Sequence, residues 1–198
     1  MGKRLKKSRY ITGFDGIRTI AVIGVILYHL APYQFQGGFL GVPIFFVVSG
    51  YLITDLLFQE WQQNRRIDIK GFYIRRMKRL YPALVTLVLV TTAYITLFAR
   101  DLLTNIRAII ATNFLYVYNW FQVAHHESYF DKFGTQSPFT HLWSLSIEGQ
   151  FYLFWPIIIL LLLKFVKKKQ PIFDTMIILA FISALLMAIL YRSGQDPS

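Results

Sequence analysis

The chain has 198 residues, of which 55% are hydrophobic, with 21 Lys and Arg against 10 Asp and Glu and a net charge of +11. That is too apolar and too segmented for an ordinary soluble domain, and the basic residues flank apolar runs instead of forming one patch, which argues for membrane orientation and against nucleic acid. There is no cysteine, so a thiol nucleophile, an acyl-cysteine intermediate and a cysteine-ligated metal are excluded.

The basic start MGKRLKKSR leads into an apolar run with no small-residue cleavage site after it, so it reads as a retained first helix, not a removed signal. That first span covers 17–31, with Asp15 as N-cap and Gly16 easing the turn. It holds two strong polar side chains, Arg18 and His29. Eleven residues apart, they lie on one helix face, separated by ~16 Å along the axis. Pro32 and YQFQGG mark a brief loop. A second span, 39–58, contains Pro43 and Gly50, which predict bends or local unwinding. A polar, basic connection over 60–79 follows, and then a third span over 82–99. The segment 104–123 mixes Arg107, Asn105, Asn113 and Asn119 with apolar residues and is ambiguous. A turn-rich loop, AHHESYFDKFGTQSPFTH, separates it from spans at 145–166 and 172–190.

Lysine and arginine counts set the orientation. Seventeen of the 21 fall in the N-terminal arm through Arg18, in 60–79, and at Lys164 with 167–169. All face one side if the chain crosses five times and 104–123 is an interfacial or re-entrant helix on the outer side. The expected fold is therefore all-α: a polytopic transmembrane helix bundle with about five crossings and one such helix. The N-terminus is cytoplasmic, in the cell membrane. No internal repeat or low-complexity tract is evident.

Three constellations carry chemistry. Arg18 and His29 suit phosphate recognition at the cytoplasmic face and general base work deeper in the membrane. The structural alternative is a snorkelling arginine and a histidine satisfied by a carbonyl. The second is Arg75, Arg76 and Arg79, before Pro82. Arg75 and Arg79 share a face, and the cluster is either an anion site or an ordinary positive-inside stop. The third is THLWSLSIEGQFY, in which helical spacing puts His141, Ser144 and Glu148 on one face. Glu148 inside an apolar helix needs a partner; it can orient a base, bind a sugar hydroxyl or pair with an arginine. A hydrolase triad is disfavoured because no GxSxG turn accompanies the serine. His125-His126-Glu127 is a weak metal motif, since adjacent histidines point apart on a helix, and no metal is expected.

Four stretches in order, FDGIRTIAVIGVILYH, GGFLGVPIFFVVSGYLI, FYIRRMKRLYP and HLWSLSIEGQFYLFWP, resemble the acyltransferase-3 family of integral membrane acyltransferases. The SIEGQFY variant resembles the membrane domain of Gram-positive peptidoglycan O-acetyltransferases. The resemblance implies transfer of an acyl group, usually acetyl from cytoplasmic acetyl-CoA, to a cell-surface carbohydrate, with peptidoglycan favoured. It implies no bound cofactor, a catalytic His29 with Arg18 as its motif partner, and CoA phosphates held by Arg75 and Arg76, with Arg79 beside them. Glu148 matches the first acid of the family's SxEEQFY pattern, while Gly149 replaces the second. His141 and Ser144 are the expected substrate contacts. Family membrane domains have about ten crossings, so 1–198 is expected to be the N-terminal part of one. It divides into a basic arm (1–15), spans and loops (16–191) and an outer-side end (192–198). An SGNH-type domain, attached or separate, is an expected partner. The rival reading is a non-enzymatic transporter or flippase segment for a lipid-linked sugar.

Overall fold

The computed structural model describes residues 12–31, 33–125, 137–165 and 169–190. The basic arm before residue 12, Pro32, most of the 124–141 loop, residues 166–168 with two of the clustered lysines, and the end after 190 lie outside the described residues. So do His126 and Glu127. Among the described residues the regular structure is helical throughout, with seven α-helices and three short 3-10 turns. The chain divides into two compact units, Met1–Ile69 and Lys70–Ser198, each described by itself.

The first unit is a pair of helices, α1 (Thr12–Leu30) and α2 (Gly41–Asn64), joined through a 3-10 turn at Gln36–Leu40. Missing side chains let them close. A Cβ on Gly38 would stand 2.8 Å from the Cβ of Tyr28, and its nearest neighbour would be the carbonyl oxygen of Gly24. A Cβ on Gly41 would meet the Ala21 carbonyl and stand 2.8 Å from Cγ2 of Val25. Ala21 is itself buried. Small residues thus bring backbone against side chain across the contact, the usual device between membrane helices.

The local unwinding expected at Pro43 or Gly50 does not occur, and α2 runs unbroken for 24 residues. Pro43 is its third residue, where the missing N–H has no intrahelical partner to lose. The helix ends at Arg65, in left-handed backbone (φ 53°), whose N–H reaches the Trp61 carbonyl at 2.8 Å. The expected connection over 60–79 shrinks to four residues, because α2 extends to Asn64 and α3 starts at Ile69. Lysine and arginine favour helix about as well as leucine does, so a basic stretch need not be a loop. Buried Glu60 closes the turn, its Oε1 accepting the Asp68 N–H at 2.9 Å.

The second unit contains most of α3 (Ile69–Phe98), a 3-10 turn at Arg100–Leu103, then α4 (Ile106–Phe114) and α5 (Tyr118–Ala124). A 3-10 turn at Thr140–Leu142 leads into α6 (Trp143–Phe165), and α7 (Lys169–Leu190) follows. Its core is Leu84, Val88 and Ile95 of α3 with Ile109, Tyr118 and Phe139. α3 passes through Pro82 as one 30-residue helix. The ambiguous 104–123 segment forms two helices of 9 and 7 residues, each far short of the ~20 needed to cross a bilayer.

Four helical stretches are long and apolar enough to cross: Gly13–Leu30, Gln36–Asn64, Ile69–Phe98 and Thr140–Phe165. The fifth expected crossing falls in α7, whose apolar part, Phe173–Ile189, is shorter. The architecture is a polytopic all-α bundle.

Candidate functional site

In the first unit, Arg18 and His29 both lie on the continuous helix α1. Asp15 lies inside the first turn of α1, not at its cap, and its Oδ1 is 3.7 Å from Nη1 of Arg18. The Arg18 guanidinium lies 5.9 Å from the centre of the Phe45 ring on α2. Its Nε is buried with no hydrogen-bond partner among the described residues. The cation is thus shared between a carboxylate and an aromatic face, with donor capacity left over.

His29 is exposed at the other end of α1. Its Nδ1 is 2.7 Å from the Val25 carbonyl oxygen. A carbonyl only accepts, so Nδ1 carries the proton and, in the neutral ring, Nε2 carries the lone pair. Tyr28 meets the imidazole edge-on at 5.3 Å, and Phe39 meets Tyr28 at 6.1 Å. The glycine contact at Gly38 therefore sets Tyr28, and Tyr28 sets the ring of His29.

In the second unit, the N-terminal part of α3 meets the middle of α6. Tyr73 donates to the Leu153 carbonyl at 2.6 Å, and Arg76 lies over the rings of Tyr152 at 5.1 Å and Phe72 at 5.5 Å. Leu153 is twelve residues before the end of α6 at Phe165, or ~18 Å. The arginine cluster is consequently level with the middle of α6. Arg75 and Arg79 are exposed and share a face, while Arg76 is half-buried between its two rings.

Tyr152 connects this cluster to the carboxylate, its hydroxyl donating to Oε1 of Glu148. Arg76 and Glu148, two expected site residues, thus meet on the two parts of one tyrosine. Beyond Glu148 stands the break between α4 and α5. Gln150 Nε2 donates to the Tyr116 carbonyl at 2.7 Å and to Asn119 Oδ1 at 2.8 Å. The Tyr118 N–H reaches Ser146 Oγ at 3.2 Å, and the Tyr81 hydroxyl donates to the Phe114 carbonyl at 2.9 Å. Backbone groups exposed by the interrupted helix are satisfied from α3 and α6, which lets such a break persist in an apolar setting.

Of the expected trio His141, Ser144 and Glu148, the last two lie on α6 and His141 belongs to the 3-10 turn that leads into it at Trp143. His141 is exposed, and the Ser144 hydroxyl donates to its carbonyl at 3.2 Å. Ser144 and Glu148 remain one turn apart on α6. His125 stacks on Phe121 at 4.0 Å, and no group of three metal-ligating side chains occurs among the described residues. A groove of about 620 Å³ follows α3 past Pro82, Thr86 and Val90. It bears no titratable group.

Sequence reasoning did not single out Tyr81, Tyr116, Gln150 or Tyr152. Gln150 and Tyr152 sit inside the SIEGQFY motif, one and three residues beyond the glycine that departs from the family pattern. Tyr81 and Tyr116 carry no local signal.

Fold and site together define a multi-pass helical membrane protein with arginines, a histidine and a carboxylate set in apolar helices. Residues 11–196 match the family described as an acyltransferase domain, and the chain belongs to this acyltransferase-3 family. It is 46% identical over 190 residues to a peptidoglycan O-acetyltransferase of Listeria monocytogenes, covering 96% of this chain and 30% of that protein. A putative peptidoglycan O-acetyltransferase of Bacillus subtilis is 40% identical over 198 residues, covering 100% of this chain and 31% of the relative. A putative O-acetyltransferase of Staphylococcus aureus (strain COL) is 44% identical over 195 residues, covering 98% and 32%. The chain therefore spans about a third of the length of these curated relatives. No solved structure matches.

Proposed function

We propose that this chain serves the transfer of an acetyl group from cytoplasmic acetyl-CoA to a carbohydrate hydroxyl of peptidoglycan, as part of a longer membrane-bound O-acyltransferase. The observation that carries the reading is the Nδ1 contact of His29 with the Val25 carbonyl. It fixes the tautomer whose Nε2 can take a proton, on a helix that bears Arg18 ~16 Å away. The relatives' names supply the acetyl group and the peptidoglycan acceptor.

The N-terminus faces the cytoplasm in this reading, which the lysine and arginine distribution supports. In the second unit the exposed pair Arg75 and Arg79 binds phosphates of the donor, and Arg76, stacked on Tyr152, ties that surface to the carboxylate of Glu148; in the first unit Arg18 is the motif partner of His29. His29 removes the proton of the attacking hydroxyl, whose oxygen forms the new bond to the acetyl carbon as the thioester bond breaks and CoA thiolate departs. Glu148 accepts a hydrogen bond from the carbohydrate. Ser144, in the first turn of the same helix, and His141, in the 3-10 turn before it, lie at its proposed outer end, where an extended acceptor would reach them. An SGNH-type domain takes part on the outer side.

The test uses the full-length protein in membranes. His29→Ala should abolish peptidoglycan O-acetylation while the protein still inserts, and unchanged O-acetyl content would sink the assignment. Acetyl-CoA should also protect the purified full-length protein against heat. A transporter of lipid-linked sugars would gain nothing from it.

A further inference from the structure

Tyr116 is held more tightly than a residue in a loop should be. It sits in the short break between α4 and α5 with φ 56°, a left-handed conformation that costs a residue with a bulky side chain. Its ring lies in a notch that α6 leaves open at Gly149. A Cβ there would stand 2.5 Å from Cγ of Tyr116 and 2.9 Å from its Cβ. Tyr81 closes the other side edge-on at 5.7 Å, and Gln150 holds the Tyr116 carbonyl at 2.7 Å. The glycine that replaces a second acid is thus the seat of this ring, and any side chain at 149 would expel it.

All of this places one polar atom. The Tyr116 hydroxyl is buried and has no hydrogen-bond partner among the described residues. Phenylalanine would fill the same notch without that unsatisfied group, so packing alone does not account for a tyrosine. The residue preceding Gly149 is Glu148, the carboxylate of the candidate site.

We propose that the Tyr116 hydroxyl is a substrate contact, donating a hydrogen bond to a hydroxyl of the carbohydrate acceptor that is itself bound by Glu148. This rests on the reading of Glu148 as an acceptor-side group. A sugar hydroxyl both donates and accepts, so it fits a phenol donor together with a carboxylate acceptor. A phosphate fits poorly, because the carboxylate repels it. Burial, Tyr81 and Glu148 push the phenol up to about 12, so it stays a donor through the physiological range.

The experiment uses the full-length protein, acetyl-CoA as donor and a soluble oligomer of N-acetylated peptidoglycan sugars as acceptor. For Tyr116→Phe, the KM for the oligomer should rise about 3- to 10-fold, the loss of one neutral hydrogen bond. The KM for acetyl-CoA should not change, and the thermal midpoint should hold or rise, because an unsatisfied hydroxyl has been removed. An unchanged KM for the oligomer, or a lower thermal midpoint showing that the hydroxyl is held by protein, would overturn the proposal. Glu148→Gln separates the two levels. If it cripples transfer while Tyr116→Phe behaves as wild type, only the role of Tyr116 fails. If Glu148→Gln is itself without effect, the site reading fails and this inference with it.

Discussion

Two adjacent glycines, Gly37 and Gly38, make opposite predictions. A Cβ on Gly37 would meet nothing within 4 Å. A Cβ on Gly38 would stand 2.8 Å from the Tyr28 Cβ and nearer still to the Gly24 carbonyl. Carbon atoms rest at ~3.5–4.0 Å, so Gly38→Ala must push α1 and the 3-10 turn apart by ~1 Å. One obstacle is backbone, which cannot rotate away. Overpacking of this kind costs ~1–3 kcal/mol, and the upper part of that range applies here. Because Tyr28 packs on the imidazole of His29, the displacement carries over to the proposed base, and a ~1 Å misplacement can cost ~100-fold in rate. The assay is acetyl transfer and thermal unfolding of the full-length protein, with Gly37→Ala as the matched control. Gly38→Ala should lose both activity and stability while Gly37→Ala keeps both. A Gly38→Ala protein with wild-type rate and thermal midpoint would refute the close-packed contact and its role in placing His29.

Other consequences follow from the second unit. Gln150→Ala removes the donor to both the Tyr116 carbonyl and Asn119 and should loosen the α4–α5 break by ~1–3 kcal/mol. Hydrogen exchange at the amides of 115–118 would speed up, and unchanged exchange would count against the stitching role of Gln150. Replacing both Arg75 and Arg79 with Gln should raise the KM for acetyl-CoA about 10-fold or more, because charge-assisted bonds to phosphate are lost, with kcat much less affected. An unaltered KM would return those two residues to a purely topological role.

Residues near in sequence explain what could be read without coordinates. Apolar runs bounded by charge located α1, α6 and α7 to within a few residues, and Pro32 with YQFQGG marked the connection before α2. Four motifs in order were enough for the family, since each is a local string. The errors arose where a local rule met a boundary set elsewhere. Pro43 looked like a break but falls in the first turn of α2. The basic stretch 60–79 looked like a loop but packs largely as helix, with Phe72 buried and Arg76 stacked.

The sequence by itself determined the class of the protein: an all-helical membrane chain of the acyltransferase-3 family, with Arg18 and His29 on one helix face. Hydropathy and helical period act over neighbouring residues, so a linear text carries them fully. Tertiary structure alone decided which of two adjacent glycines is indispensable. It also decided that Arg76 reaches Glu148 through Tyr152, and that Gly149 holds the ring of Tyr116, 33 residues earlier in the chain. Those contacts depend on the rotation and offset of whole helices against one another, which no local pattern encodes.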